Sequence, residues 1–158
     1  TINTDLRANY DTDLILSLLL LDGTKDYEYF CHKYSTSNSI KNKFKNISIN
    51  FENIKSKKFY SKENIKKLIY LSNKNYVKDL LLFSIFINKK VKSTDVEELI
   101  KYINICEVPK FPISGEHLKR YGYVTGEELG KKLKLLEVQW IENNFTIDKK
   151  ILEKSLGK

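Results

Sequence analysis

Two pairs in this sequence have the residue types that carry chemistry. Asp11-Thr12-Asp13 has the Asp-x-Asp spacing of paired metal-binding carboxylates, and Cys31-His32 sets a thiol beside an imidazole. Phosphoryl transfer by two metal ions needs carboxylates fixed on a sheet, a third acid nearby and a glycine-rich turn to hold the triphosphate. Only ten residues precede Asp11, none of them glycine, and the LILSLLLLD that follows Asp13 is helical in pattern. Asp11 and Asp13 are therefore expected at the polar start of a helix, where carboxylates suit the positive end of the dipole. Adjacent helix positions point about 100° apart, so Cys31 and His32 do not face each other. A half-buried thiol beside a surface imidazole is expected there. No catalytic and no metal-ligating residue is expected in this chain.

The stretch FPISGEHLKRYGYVTGEELGKKL, Phe111 to Leu133, holds chemistry of another kind. It combines Gly115, Gly122, Gly126 and Gly130 with Lys119, Arg120, Lys131 and Lys132, and Lys134 follows directly. Glycine inside a helix costs about 1 kcal/mol relative to alanine, so four in so short a span need a reason. Ser114 can cap a short helix containing Leu118, with Gly122 closing it in the left-handed conformation. Thr125-Gly126-Glu127-Glu128 reads as a capping box that starts a helix with Leu129, Leu133, Leu136 and Trp140 on one face. Gly115 and Gly126 then fall in first turns, where unpaired N–H groups point outward and a side chain would obstruct a close anion. Gly130 is expected to let the short helix pack closely against the long one. Helix starts and cations of this kind suit an RNA or DNA backbone. The competing reading is that the glycines serve turns and packing alone, since Glu116, Glu127 and Glu128 place negative charge at the same helix starts. On local chemistry both stay open.

Composition bounds what these residues can belong to. The chain has 158 residues, 41% of them hydrophobic, enough for one ordinary core or for a medium and a small helical subdomain. The formal net charge is +8 and the pI about 9.3, which permits a polyanionic partner. Nearly all of that charge is lysine, because Arg7 and Arg120 are the two arginines. Such a lysine, asparagine and isoleucine bias is also what AT-rich coding produces, so position must decide what charge cannot. Cys31 and Cys106 lie far apart with no CxxC pattern, which signals neither a disulfide framework nor a zinc site and fits a reducing, cytoplasmic setting. LILSLLLL and LLLFSIFI are each shorter than the roughly 18 apolar residues of a membrane span. The chain begins at Thr1 and has no Met, and is expected to be a fragment, a trimmed chain or a processed product.

The elements that must position these residues read as helices almost throughout. Leu14, Leu18 and Leu21 stripe a helix from Tyr10 to Asp22 that stops at Gly23, and Tyr27, Phe30 and Tyr34 mark a short second one. Ile40, Phe44, Ile47, Phe51 and Ile54 predict one longer lysine-rich helix after the polar run YSTSNS. Ser61 opens the next, with Ile65, Leu68 and Ile69 inward. Asn75 to Asn88 is apolar almost all round and predicts the central helix of a bundle. Thr94-Asp95-Val96-Glu97 reads as a capping box ahead of Val96, Leu99, Ile100 and Ile103. ISINFENI is the one stretch that could tempt a strand assignment. Tyr27, Tyr34, Tyr70 and Tyr102 belong to the core or its edge, and Tyr121 and Tyr123 are better placed for contact. Pro109 and Pro112 break the helical pattern, predicting a helical body over residues 1–107 and a helical tail over 108–158. The class is all-α: a multi-helix bundle followed by a small helical tail with a glycine-rich helix-turn-helix.

FPISGEHLKRYGYVTGEELGKKLKLLEVQWIENNF resembles the C-terminal signature of bacterial class II tRNA nucleotidyltransferases, the CCA-adding enzymes and their poly(A) polymerase relatives. Phe111, Pro112, Gly115, Leu118, Gly122, Gly126, Gly130, Leu133 and Trp140 fall on its fixed positions, over about forty residues. Thr125-Gly126-Glu127 departs from it in lacking the prolines that often flank that glycine. The resemblance implies the tRNA-binding body and tail of such an enzyme, catalytically silent alone. Magnesium and nucleoside triphosphates would be bound by a head, and the incoming nucleotide selected by a neck, that this sequence does not contain. It further implies contact with the acceptor and T-arm region of tRNA through Gly115, Lys119, Arg120, Gly126, Lys131, Lys132 and Lys134. Recognition that serves every tRNA reads duplex shape, sugars and phosphates rather than bases. A second reading from another class is a non-catalytic helical scaffold that docks its own head domain or a second copy, as a homodimer. A membrane-surface role is disfavoured, because the apolar faces are used by one another.

Overall fold

Most helices begin where the sequence supplies a short polar acceptor for their free N–H groups. In the computed structural model, which describes residue 6 and residues 9–147, Asp11 caps α1 (Thr12–Leu20), its carboxylate accepting the Leu14 N–H at 2.7 Å. Helix α2 spans Asp26–Lys33, and Ser37 caps α3 (Asn38–Asn50). Two 3-10 turns follow, Asn53–Lys55 and Lys57–Tyr60. Ser61 caps α4 (Lys62–Leu71), Asn73 caps α5 (Lys74–Ile87), and α6 spans Ser93–Ile105. Helices α7 (Gly115–Lys119) and α8 (Glu127–Glu142) complete the order. No strand occurs among the described residues, and the class is all-α. ISINFENI lies in α3 and the first 3-10 turn.

The chain divides into two units between Glu107 and Val108. In the first, α5 packs against α1, α3, α4 and α6. Being covered on several sides explains why its sequence is apolar nearly all round: Val77, Leu80, Leu81, Leu82 and Phe83 are all buried. Leu14, Phe44, Ile47, Ile54, Ile65 and Ile103 reach the same core from the surrounding elements. In the second unit α7 packs on α8, with Leu118 and Leu136 buried and Phe111, Ile113, Tyr123, Leu129 and Leu133 half-buried around them. The Trp140 ring lies 5.4 Å from that of Phe111 and 4.9 Å from that of Phe145.

Four expectations for the first unit need correction. The third helix does not run on to Ile54 but stops at Asn50. There the Asn50 amide donates to the Asn46 carbonyl and to the Tyr76 hydroxyl, competing with the backbone ladder, and the 3-10 turns carry Ile54 inward to full burial. Thr94 and Glu97 form no capping box: α6 starts two residues earlier, after Lys92, so Thr94 is already inside the helix. Its hydroxyl turns to Asp95, and Glu97 Oε1 is buried without a partner. Helix α1 ends at Leu20 with Leu21 as its cap, leaving Gly23 two residues beyond that cap. Helix α2 buries Tyr27 and Cys31, one turn apart, rather than the predicted stripe. Phe30 is half-buried, and Tyr34 closes the helix with 60% of its surface exposed.

Candidate nucleic-acid interface

Helix α7 is only five residues long, and its ends hold it in place. Ser114 Oγ accepts the His117 N–H at 3.4 Å, and His117 Nδ1 accepts the Ser114 N–H at 3.4 Å in return. This reciprocal cap puts a histidine where Glu or Gln is usual, a Ser-x-x-His spacing that was legible but not singled out. At the other end the Tyr123 N–H reaches the Leu118 carbonyl at 3.3 Å and the Gly122 N–H reaches that of Lys119 at 3.0 Å. That is a Schellman closure, and Gly122 supplies its left-handed residue with φ +90°. Tyr123 packs against the Leu118 core, the apolar contact that accompanies such a closure. Tyr121 stays 42% exposed.

The long helix starts differently from its expected form. Thr125 and Glu128 make no capping box: Gly126 is the N-cap, with φ +153° and ψ −166°, and no side chain bonds the first N–H groups of α8. This backbone conformation is almost restricted to glycine, which is why a residue without a Cβ stands there. A Cβ on Gly126 would meet nothing within 4 Å, so main chain is open to approach at this corner.

The two remaining glycines do not take the roles expected of them. A Cβ on Gly130 would also meet nothing within 4 Å, so Gly130 does not seat α7 against α8. Gly115 faces α8, where a Cβ would lie 3.5 Å from Leu129 Cδ2 and 4.0 Å from Leu133 Cδ1, ordinary contact distances that leave room for one. The reason is direction, since residue 130 faces outward on α8 while Leu129 and Leu133 face α7.

The candidate cations fall on both helices and are not equivalent. Lys119 pairs with Glu116 at 2.7 Å and Lys131 with Glu127 at 2.7 Å, each on the surface of its own helix. The Lys119 hydrogen bond and charge hold the Glu116 carboxyl below the usual carboxylate range. Arg120, Lys132 and Lys134 make no ion pair among the described residues, and Arg120 and Lys134 are exposed. Exposed pairs are worth little and yield readily to a phosphate, so Lys119 and Lys131 stay available at small cost.

Of the Asp-x-Asp pair, Asp13 lies in the first turn of α1 and Asp11 is structural in place and partner. Asp11 caps α1 and also accepts from Lys43 Nζ at 2.6 Å, while Asp79 of α5 lies 3.3 Å from the same ammonium. Burial pushes Asp11 up, but the hydrogen bonds from Lys43 and Leu14 outweigh it and the net shift is downward. In Asp79 burial prevails over Lys43, so its carboxyl rises. The two directions differ because Asp79 is the less exposed acid, at 23% against 59% of the side chain. No group of three or more His, Cys, Asp or Glu among the described residues could hold a metal ion. Cys31 and Cys106 are buried free thiols. No described helix is long and apolar enough to cross a membrane.

No family model matches the chain, and no solved structure matches it. Over 72 residues it is 31% identical to "CCA tRNA nucleotidyltransferase 1, mitochondrial" of Danio rerio, a match covering 40% of this chain and 17% of that protein. The similarity supports a distant relation to that enzyme family, of which this chain spans less than a fifth of the relative's length.

Proposed function

We propose that this chain is the body and tail of an enzyme that adds CCA or A to RNA 3′ ends, and that it holds the acceptor and T-arm region of tRNA without performing chemistry itself. What supports this above all is the α7–α8 corner: a capped helix, a Schellman turn and an uncapped long-helix start, with free cations on both sides. The spacing of Gly115, Leu118, Gly122, Gly126, Leu133 and Trp140, which resembles the C-terminal signature of that enzyme family, supports the same reading. The partial similarity to a CCA tRNA nucleotidyltransferase supports the same class.

Arg120, Lys132 and Lys134 contact phosphates first, since no internal acid has to be displaced. The open main chain at Gly126 allows a sugar–phosphate strand to approach the first N–H groups of α8. Gly115 contributes indirectly, from the side of α7 that faces Leu129 and Leu133. The nucleotidyl transfer, its magnesium and its nucleoside triphosphates belong to a head domain in this scheme, and the neck selects the nucleotide.

Binding of tRNA measured across a salt series tests this. Counterion release makes log affinity fall linearly with log salt, by roughly 0.7 to 0.9 per phosphate neutralised. The Arg120→Glu, Lys134→Glu double variant is expected to bind at least about tenfold more weakly at low salt and to flatten the slope by about two contacts. A wild-type chain whose tRNA binding ignores salt, or a double variant indistinguishable from wild type, would reject the proposal.

A further inference from the structure

The first unit contains a polar cavity that the tail reading does not use. It has a volume of about 200 Å³ and lies between the end of α3, the 3-10 turns and α4. Asn50, Asn53 and Asn64 line it together with Ser56 and Lys58, and Leu68 and Phe59 supply its apolar surface. No carboxylate is among the lining residues.

The amides are held by their own bonds and keep capacity to spare. Asn50 Nδ2 donates to the Asn46 carbonyl and to the Tyr76 hydroxyl, which fixes its amide plane. Asn53 Nδ2 donates to Asn50 Oδ1 at 3.3 Å, and Asn64 Nδ2 donates to the Phe59 carbonyl at 2.9 Å. Asn53 and Asn64 thus each retain a carbonyl oxygen and one N–H with no protein partner. Lys58, at the same cavity, makes no ion pair among the described residues. Beyond Leu68 lies a second cavity of about 290 Å³, lined by Asn46, Ser72, Asn73 and Tyr76 with Leu68 and Leu71, and likewise without a carboxylate. The Tyr76 hydroxyl joins the two networks, receiving from Asn50 and donating to the Asn46 carbonyl.

Fixed amides, no acid, an apolar wall and one ammonium make a specific chemical demand. They suit a flat, neutral edge that offers donors and acceptors side by side, with a negative group attached. Asn pairs with base edges in this way, and a lysine takes the adjoining phosphate. A metal ion or a polyamine would find no carboxylate here.

We infer that this cavity takes an unpaired nucleobase of single-stranded RNA, read by Asn53 and Asn64 with its 5′ phosphate on Lys58. It is a second RNA contact, in a different unit from the α7–α8 corner and independent of it. The cavity across Leu68 receives the neighbouring base.

The test is titration of the full chain with the four nucleoside 5′-monophosphates and with ribose 5-phosphate, following the side-chain amide resonances of Asn53 and Asn64. A nucleotide is expected to shift both resonances and to bind at least about tenfold more tightly than ribose 5-phosphate. Asn53→Leu and Lys58→Glu each weaken that binding about tenfold, and Lys58→Glu does so with thermal melting unchanged because its side chain is exposed. Equal binding of ribose 5-phosphate, no shift at all, or variants that bind as wild type overturns the inference. The Arg120→Glu, Lys134→Glu variant leaves these shifts intact, so failure of the tail reading and failure of this one are read separately.

Discussion

The two units are built from the same kinds of residue and stabilised in different ways. In the first, a helix apolar on nearly every side is covered by four others, and the interior is continuous from Leu14 to Ile103. In the second, one short helix leans on one long helix over Leu118 and Leu136, and backbone devices supply what the small core cannot. A small core buries too little surface to dominate its own ordering entropy, so caps and turn geometry weigh more there. The difference teaches where to look for contact with a partner: a unit held together at its helix ends leaves backbone and cations outward, whereas a unit held by its interior needs a cavity.

Core truncations separate the units most sharply. Phe83→Ala is expected to cost about 3 to 5 kcal/mol and Leu118→Ala about 2 to 5. Trp140 is the single tryptophan and is buried in the second unit, so its fluorescence reports that unit while far-UV circular dichroism reports mainly the first. Leu118→Ala should shift the fluorescence midpoint and leave most of the helical signal; Phe83→Ala should do the reverse. Midpoints that move together in both variants would show one cooperative body instead of two.

Next in size is the Asp11–Lys43–Asp79 cluster of the first unit. Lys43→Met leaves the partly buried Asp79 without its cation and is expected to cost about 2 kcal/mol, seen in the circular dichroism midpoint and not in the fluorescence. Its pH signature is alkaline. Burial alone would lower the Lys43 pKa, but the bonds and charges of Asp11 and Asp79 raise it above the ordinary lysine value of 10.5. The stability it contributes is therefore whole below 10.5 and is lost as pH climbs through the folded value. Tyr10, pushed by burial to about 12, acts in the same direction, because ionising it in the folded state is disfavoured. The first unit should lose stability between pH 10 and 12 in wild type, and less steeply in Tyr10→Phe. A flat alkaline profile would remove the cluster from the account.

The second unit's backbone devices carry smaller effects. Ser114→Ala removes half of the reciprocal cap and is expected to cost about 1 kcal/mol in the Trp140 transition. Gly122→Ala should cost about as much, its φ being left-handed. Gly130→Ala should have the opposite sign and stabilise by about 0.5 to 1 kcal/mol, since the position is helical, outward and open. Destabilisation by Gly130→Ala would return to Gly130 the packing role that its open surroundings deny it.

Much of this was legible beforehand, and the misses have a common cause. Periodicity placed α5 at the centre, and Ser61, Ser114 and Gly122 ended their helices as their chemistry requires. The capping boxes at Thr94 and Thr125 failed because the same four-residue pattern fits a helix that begins two residues earlier or one later. Choosing between starts depends on packing elsewhere, which spacing does not register. The amide cavity left no signal because Asn50, Asn53 and Asn64 look like ordinary helix-end residues until the 3-10 turns bring α4 back beside α3.

By itself the sequence determined the helical class, several of the helix faces and the glycine-rich corner, because each follows from contacts within a few residues along the chain. Only the tertiary structure decided which glycine faces the neighbouring helix and which faces open space, which lysines are already paired, and which asparagines share a cavity. Those outcomes depend on which atoms of distant segments meet, and the direction of a Cβ or an amide toward a neighbour is not a property of the residue that bears it.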